Sequence, residues 1–124
     1  MRIKISEISG NKIVFKSLLG IGKGFWMSDP LPRLDESYEV EIEINDSLKW
    51  GENVSFAEED KEVIAMDNEY GHIQGKVGGI DSDGLVILRL GDSIIMLDNF
   101  IPSPPNESFI RLEAITLQLF NACI

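Results

Sequence analysis

The chain has 124 residues, 44% of them hydrophobic and 26% charged, and its formal net charge is −10. This length and composition predict one folded domain over residues 1–124, and they exclude a disordered chain and disfavour nucleic acids and anionic membranes as partners. Because the first residues form no apolar signal core and no apolar run approaches the roughly 20 residues of a spanning helix, we expect a soluble, cytoplasmic protein.

Period-two alternation dominates the first part of the chain. Residues 2–8 and 12–18 alternate apolar with polar side chains around the turn Ser9-Gly10-Asn11, which predicts a hairpin. The glycine-rich residues 20–24 predict a flexible loop. Residues 38–44 alternate strictly between apolar and acidic side chains and predict the clearest strand of the chain.

The second part of the chain predicts several short strands. Residues 48–56 indicate a short strand or an irregular stretch, and residues 57–62 indicate a helical turn or an acidic loop. Turn-forming residues then separate four predicted strands. These strands comprise residues 63–66, 72–80, 85–90 and 93–98.

Two of these strands carry runs that are apolar on both faces, residues 85–88 and 94–97. Such runs predict central strands that are covered on two sides. Residues 109–120 alternate with a slip near residues 115–116, which favours a strand with a bulge over a competing helix. The predicted fold is therefore all-β, a single-domain, partly open barrel or sandwich of six to eight mostly antiparallel strands.

The negative charge is concentrated in residues 29–69, where fourteen acidic and three basic residues leave −11. Glu39, Glu41 and Glu43 share one face of the predicted strand, about 6.8 Å apart along it. This pattern is typical of a solvated sheet face. It also fits a surface for a basic partner, since no lysine within the strand relieves the repulsion between these carboxylates.

No motif in the chain predicts catalysis, a cofactor or a metal. Residues 20–24 lack the Gly-x-x-x-x-Gly-Lys-Ser/Thr pattern of a phosphate loop, and residues 81–84 begin like a calcium loop but lack its later ligands. His72 is the only histidine, and the only thiol, Cys123, fits a reducing compartment. A glycosidase would need two carboxylates that converge in a cleft, whereas the alternating strand predicts a flat face.

Five segments and Pro30, all between residues 24 and 92, together resemble a group of small bacterial β-proteins, several of which are similar to immunity proteins. Immunity proteins protect a cell from a toxin domain that its neighbours deliver, as in contact-dependent inhibition. The resemblance implies a non-enzymatic inhibitor and supplies no functional residue. Its segments are Gly24-Phe25-Trp26, Tyr38-Glu39-Val40-Glu41-Ile42, Leu48-Lys49-Trp50-Gly51, Ile73-Gln74-Gly75-Lys76-Val77 and Leu88-Arg89-Leu90-Gly91-Asp92.

The sequence therefore predicts an acidic, non-enzymatic binding protein that neutralises a basic toxin domain, with its oligomeric state open. The alternative is a nucleic-acid-binding barrel of the oligonucleotide-binding type, which the chain also resembles in general form. It would use Lys4, Lys12, Lys16 and Lys23, with Phe15, Phe25 and Trp26 stacking on bases. The residues predicted to bind the toxin, here called the acidic set, are Asp35, Glu36, Glu39, Glu41, Glu43, Glu58, Glu59, Asp60 and Glu62, with Trp50 as an apolar anchor.

Overall fold

The computed structural model describes residues 1–98, 100 and 102–122. Cys123 lies outside the described residues. Eleven strands form within the described part of the chain, and the all-β prediction is confirmed. In chain order they are β1 Arg2–Ser9, β2 Lys12–Ser17, β3 Gly20–Trp26, β4 Ser37–Glu43, β5 Val54–Phe56, β6 Val63–Met66, β7 Gly71–Ile80, β8 Val86–Leu90, β9 Ser93–Leu97, β10 Phe109–Ile115 and β11 Leu117–Asn121.

Five of these strands close into a barrel in the order β1-β2-β3-β11-β4, with β4 pairing back to β1. The barrel is antiparallel except for β3 and β11, which run parallel. The alternation of apolar and polar residues explains why these strands close into a barrel. In each strand every second side chain points inward, and these inward side chains form a shared core. Ile3, Ile5, Ile13, Phe15 and Val40 are among these inward residues, and each is at most 1% exposed.

The other six strands form an open sheet in the order β5-β10-β7-β8-β9, and β6 pairs with the first half of β7. The chain enters this sheet after β4 and returns to the barrel through β11. Ile64 of β6 lies against the barrel, because its N–H donates to the Leu19 carbonyl at 2.9 Å. The buried side chains of both sheets belong to one hydrophobic cluster.

The prediction of a flexible loop over residues 20–24 is wrong, because these residues lie in β3. The glycines provide space. A Cβ at Gly22 would contact the Phe15 ring and lie 2.7 Å from Cγ2 of Ile64, and one at Gly24 would lie 2.8 Å from the Leu117 carbonyl oxygen. Such distances are far below van der Waals contact, so the barrel closes tightly only because β3 lacks side chains there.

Residues 86–88 and 94–97 do lie in strands, but β9 is not covered on two sides. It is the last strand of the open sheet, and Ile94 and Met96 are 56% and 41% exposed. The strand count exceeds the predicted six to eight. Residues 109–120 divide into β10 and β11 at Thr116, and β3 was expected to be a loop.

The bulge that was predicted near residues 115–116 lies slightly earlier in the chain, between Leu112 and Ile115 of β10. The pairing of β10 with β7 shifts between Leu112 and Ile115, and Ala114 has a φ of 55°. Its backbone N–H points to Nδ1 of His72 at 3.1 Å instead of joining the ladder. The bulge therefore interrupts the pairing with β7, which resumes where Ile115 lies opposite Gly71, before the chain crosses to the barrel in β11.

Candidate protein-binding groove

The acidic side chains of β4 point outward because the barrel core takes the alternate residues. Val40 and Ile42 are buried, whereas Glu41 and Glu43 are exposed. Neither Glu41 nor Glu43 forms an ion pair with any residue that the structure describes. The two carboxylates are therefore available to an outside partner.

Glu39, on the same face of β4, is in a different position. Its carboxylate lies 3.6 Å from the amino group of Met1 and 3.6 Å from the guanidinium of Arg2, which is its direct partner across the strand pair. Cross-strand pairs of opposite charge stabilise a sheet. Part of the charge of Glu39 is thus neutralised within the fold.

A second acidic element approaches β4 from the open sheet. Asp92 lies in the turn between β8 and β9, is 76% exposed at its side chain, and has its carboxylate 3.7 Å from the Met1 amino group. Met1 therefore joins Asp92 to Glu39, on opposite sides of the boundary between the barrel and the sheet. This arrangement extends the acidic surface from β4 to the start of β9.

Between β4 and β9 lies a groove of about 680 Å³, which we call the acidic groove. One wall is formed by residues 40–45, including Glu41 and Glu43, and the other by Ser93, Ile94 and Met96. Met1 and Asp92 also line it. Its volume lies in the range of ligand-binding pockets, and it combines an acidic wall with an apolar wall.

Both strands that border the acidic groove have an edge without a partner strand. β1 pairs with β4 from Ser37 to Glu39, and backbone bonds between Met1 and Val40 extend the contact by one residue. Beyond Val40, no described strand pairs with that edge of β4. The edge of β9 opposite β8 likewise has no strand partner among the described residues.

Asp35 and Glu36 of the acidic set do not line the groove. They lie before β4, where backbone bonds of 2.8 and 2.9 Å tie them to Ile5 of β1. The carboxylate of Glu36 also accepts a hydrogen bond from the Tyr38 hydroxyl at 3.2 Å. Strand geometry separates Glu36 from Glu43 by seven residues, roughly 24 Å.

Glu58, Glu59 and Asp60 lie on an exposed loop, and none of them lines the acidic groove. Glu59 instead pairs with Lys61 at 3.0 Å. Glu62 accepts a hydrogen bond from the Gly91 N–H at 2.7 Å and thereby holds the turn that carries Asp92. The acidic set is thus divided over three places rather than gathered in one.

Trp50 is half-buried and makes several contacts within the fold. Its ring packs against Phe56 and Phe100 with centroid distances of 4.9 and 5.7 Å, and its indole N–H donates to the Pro102 carbonyl at 2.6 Å. It does not line the acidic groove. Its contacts indicate a packing role.

The apolar part of the groove comes instead from Ile94 and Met96. The sequence had predicted both residues to lie in a central strand, buried on both faces. Asp92 was predicted only as a turn residue. The sequence does allow this position for Asp92, Ile94 and Met96, because an apolar run that follows a two-residue turn fits an edge strand as well as a central one. Alternation alone does not reveal which strands end a sheet.

Among the described residues, no three His, Cys, Asp or Glu side chains lie close enough together to hold a metal ion. His72 lies on β7, which pairs with β6 on one side and with β10 on the other, so it is not on an edge strand. Its Nε2 lies 3.1 Å from the Asp67 carboxylate, and its Nδ1 receives the Ala114 N–H.

The aromatic residues of the nucleic-acid alternative are mostly inaccessible. Phe15 is fully buried and Trp26 is 2% exposed, so neither can stack on a base. Phe25 is half-buried, with the Lys12 ammonium 5.9 Å from its ring centroid. Lys4 and Lys16 face each other across β1 and β2, a basic pair without an aromatic platform.

The chain matches no protein-family model, and neither a curated protein nor a solved structure is significantly similar to it. In the described part of the chain, no helix is long and apolar enough to cross a membrane. The resemblance to immunity proteins therefore stays a prediction.

Proposed function

We propose that the chain is a non-enzymatic binding protein that neutralises a basic toxin domain, as immunity proteins do, by holding it in the acidic groove. One observation carries the proposal. Glu41 and Glu43, which have no ion-pair partner among the described residues, lie on one wall of the groove, and the exposed Ile94 and Met96 lie on the other. An acidic rim beside an apolar strip matches the anatomy of a protein interface.

The two walls have different roles in the proposed mechanism. The carboxylates attract lysine and arginine side chains and accelerate association, an effect that falls as salt rises. The apolar wall is then covered, and its burial contributes to the lifetime of the complex. A toxin that uses the same basic side chains on its own substrate, as a nuclease does on phosphates, loses access to that substrate.

The test of this proposal is protection of growing cells. The products of the reading frames next to this one are expressed one at a time, with and without this chain. We expect one basic product to stop growth and this chain to restore it. If no neighbouring product is toxic, or if a toxic one is not relieved, the proposal fails.

Charge reversal then tests the position of the binding surface. Glu41→Lys with Glu43→Lys changes the net charge by +4 in the groove, and Glu58→Lys with Asp60→Lys makes the same change on the distant loop. We expect the groove variant to lose protection and to bind the purified toxin at least tenfold more weakly at low salt. Equal losses in both variants would show a general charge effect and contradict the groove as the site.

A separate binding experiment tests the nucleic-acid alternative. A labelled single-stranded oligonucleotide is titrated at low salt into the wild-type chain and into the groove variant. We expect no saturable binding to the wild type, because the net charge is −10 and Phe15 and Trp26 are buried. Saturable binding that Lys4→Glu and Lys16→Glu abolish would favour the alternative instead.

A further inference from the structure

The free edge of β9 offers backbone hydrogen-bonding groups to the acidic groove. β8 and β9 are joined by the two-residue turn Gly91-Asp92, with Leu90 opposite Ser93. In a hairpin of this kind the pair that flanks the turn exchanges backbone bonds, and hydrogen-bonded pairs then alternate with non-bonded ones. The N–H and C=O groups of Ile94 and Met96 therefore point away from β8.

The protection that usually hides a free edge is weak here. Natural edge strands carry lysine, proline, inward-pointing charges or a bulge that prevents another strand from pairing. β9 reads Ser-Ile-Ile-Met-Leu, without a charge or a proline, and its pairing with β8 is regular over all five residues. Ile94 and Met96 add an exposed apolar row beside this edge.

The opposite wall specifies the charge of the occupant. Glu41 and Glu43 lie two residues apart on β4, about 6.8 Å, which is also the spacing of alternate side chains in any extended strand. Basic side chains at every second position of an extended segment would therefore match both carboxylates. A second copy of this chain is a poor match, because its own groove is acidic and its net charge is −10.

We infer that the acidic groove binds an extended segment of its partner that adds as a strand to the free edge of β9, with basic and apolar side chains in alternation. The apolar side chains extend the row of Ile94 and Met96, and the basic ones meet Glu41, Glu43 and Asp92. Backbone pairing supplies affinity and the acidic wall supplies selectivity, as in other cases of strand addition. The inference rests on the proposed function, whose partner it describes.

A defined peptide tests the inference without the natural partner. The probe is an eight-residue peptide of alternating lysine and valine with blocked ends, added to the wild-type chain at low salt. Amide hydrogen exchange is followed residue by residue. We expect exchange at Ile94 and Met96 to slow at least tenfold on binding, because these N–H groups change from solvent to a strand partner.

Two modified peptides separate backbone pairing from charge. One carries N-methyl groups on all valines and the other on all lysines, so both keep the charge of the probe. A strand pairs along one edge through alternate residues, so one of the two peptides should bind at least tenfold more weakly than the other. Equal binding of both, without slower exchange in β9, would overturn strand addition and leave the proposed function intact.

Variants of β9 provide the complementary test. Ile94→Pro removes the outward N–H at an edge position where proline is tolerated, and Ile94→Ala removes the side chain but keeps the N–H. We expect the proline variant to bind the probe at least tenfold more weakly than the alanine variant, with both melting cooperatively. Equal affinities of these two folded variants would contradict pairing at this edge.

The remaining outcomes also decide the question. A probe that does not bind at low salt overturns the inference, while the growth assay still judges the proposed function separately. Slow exchange at Ile94 and Met96 before any peptide is added, in a chain that sediments as a dimer, would assign the edge to a second copy and overturn the inference as well.

Discussion

At the scale of single residues, Gly22 shows how one missing side chain permits the barrel to close. A Cβ there would contact the Phe15 ring and lie 2.7 Å from Cγ2 of Ile64, which belongs to the other sheet. We expect Gly22→Ala to lower the free energy of unfolding by about 1–3 kcal/mol through overpacking. The neighbouring Ile21 is 49% exposed, so Ile21→Ala should change it by only about 0.5 kcal/mol. Urea denaturation of both variants checks this difference.

Asp67 provides a residue-scale prediction about pH. The backbone N–H groups of Tyr70 and Glu69 donate to its carboxylate at 2.7 and 2.8 Å, and with His72 they lower the pKa of Asp67 below the ordinary value of about 3.9. A carboxyl group whose pKa is lowered by folding stabilises the folded state above its ordinary pKa. That contribution disappears as the pH falls through the lowered value.

Asp67→Asn keeps an oxygen for both N–H groups but removes the charge. We therefore expect the variant to melt below the wild type at pH 7, and the difference to vanish as the pH approaches 2. Thermal melts of both proteins between pH 2 and pH 7 measure it. A difference that stays constant over this range would show that the charge of Asp67 is not what stabilises the turn.

At the scale of elements, the bulge of β10 places an alanine where glycine would fit better. Ala114 has a φ of 55°, a conformation that disfavours residues with a Cβ. We expect Ala114→Gly to raise the free energy of unfolding by about 0.5–1 kcal/mol, because the relief of strain exceeds the added chain entropy. Ala65→Gly, in the regular strand β6, should lower it by a similar amount. If both variants were destabilised equally in urea, the bulge would not be strained.

The strands could be predicted from the sequence where turn-forming residues mark the ends of a strand-like pattern. β1, β2 and β4 lie within one residue of their predicted bounds, because each alternates apolar with polar residues between turn-forming residues. β6 matches its predicted bounds because turn-forming residues follow a short apolar run. β3 could not be found in this way. Its glycines look like a loop until Phe15, Ile64 and Leu117 are seen to occupy the space that side chains would need. Glycine in a sequence does not distinguish flexibility from close packing.

At the scale of the whole molecule, the sequence indicated how much acid there is but not where it gathers. Residues 29–69 carry −11, yet folding separates Asp35, Glu41 and Glu58 into different regions. Asp92, from outside this segment, joins Glu41 at the groove. Contacts between residues about fifty positions apart depend on how the sheet packs on the barrel. Local periodicity contains no information about that packing.

The barrel and the open sheet are expected to unfold together. The chain has two tryptophans, Trp26 in the barrel and Trp50 against Phe56 of β5. Trp50→Phe leaves a fluorescent probe of the barrel, and Trp26→Phe leaves one near the second sheet. Within each variant, we expect fluorescence and far-ultraviolet circular dichroism to report the same urea midpoint, as for a two-state domain.

The physical reason for this expectation is the shared core. Ile64 reaches from the open sheet to the barrel strand β3, and the buried residues of both sheets form one cluster, so neither part can unfold without exposing apolar surface of the other. Comparing two signals within one variant removes the effect of the substitution on stability. If the barrel probe changed at a different midpoint from the circular dichroism, the chain would contain two units. The acidic groove would then lie at a boundary that can open.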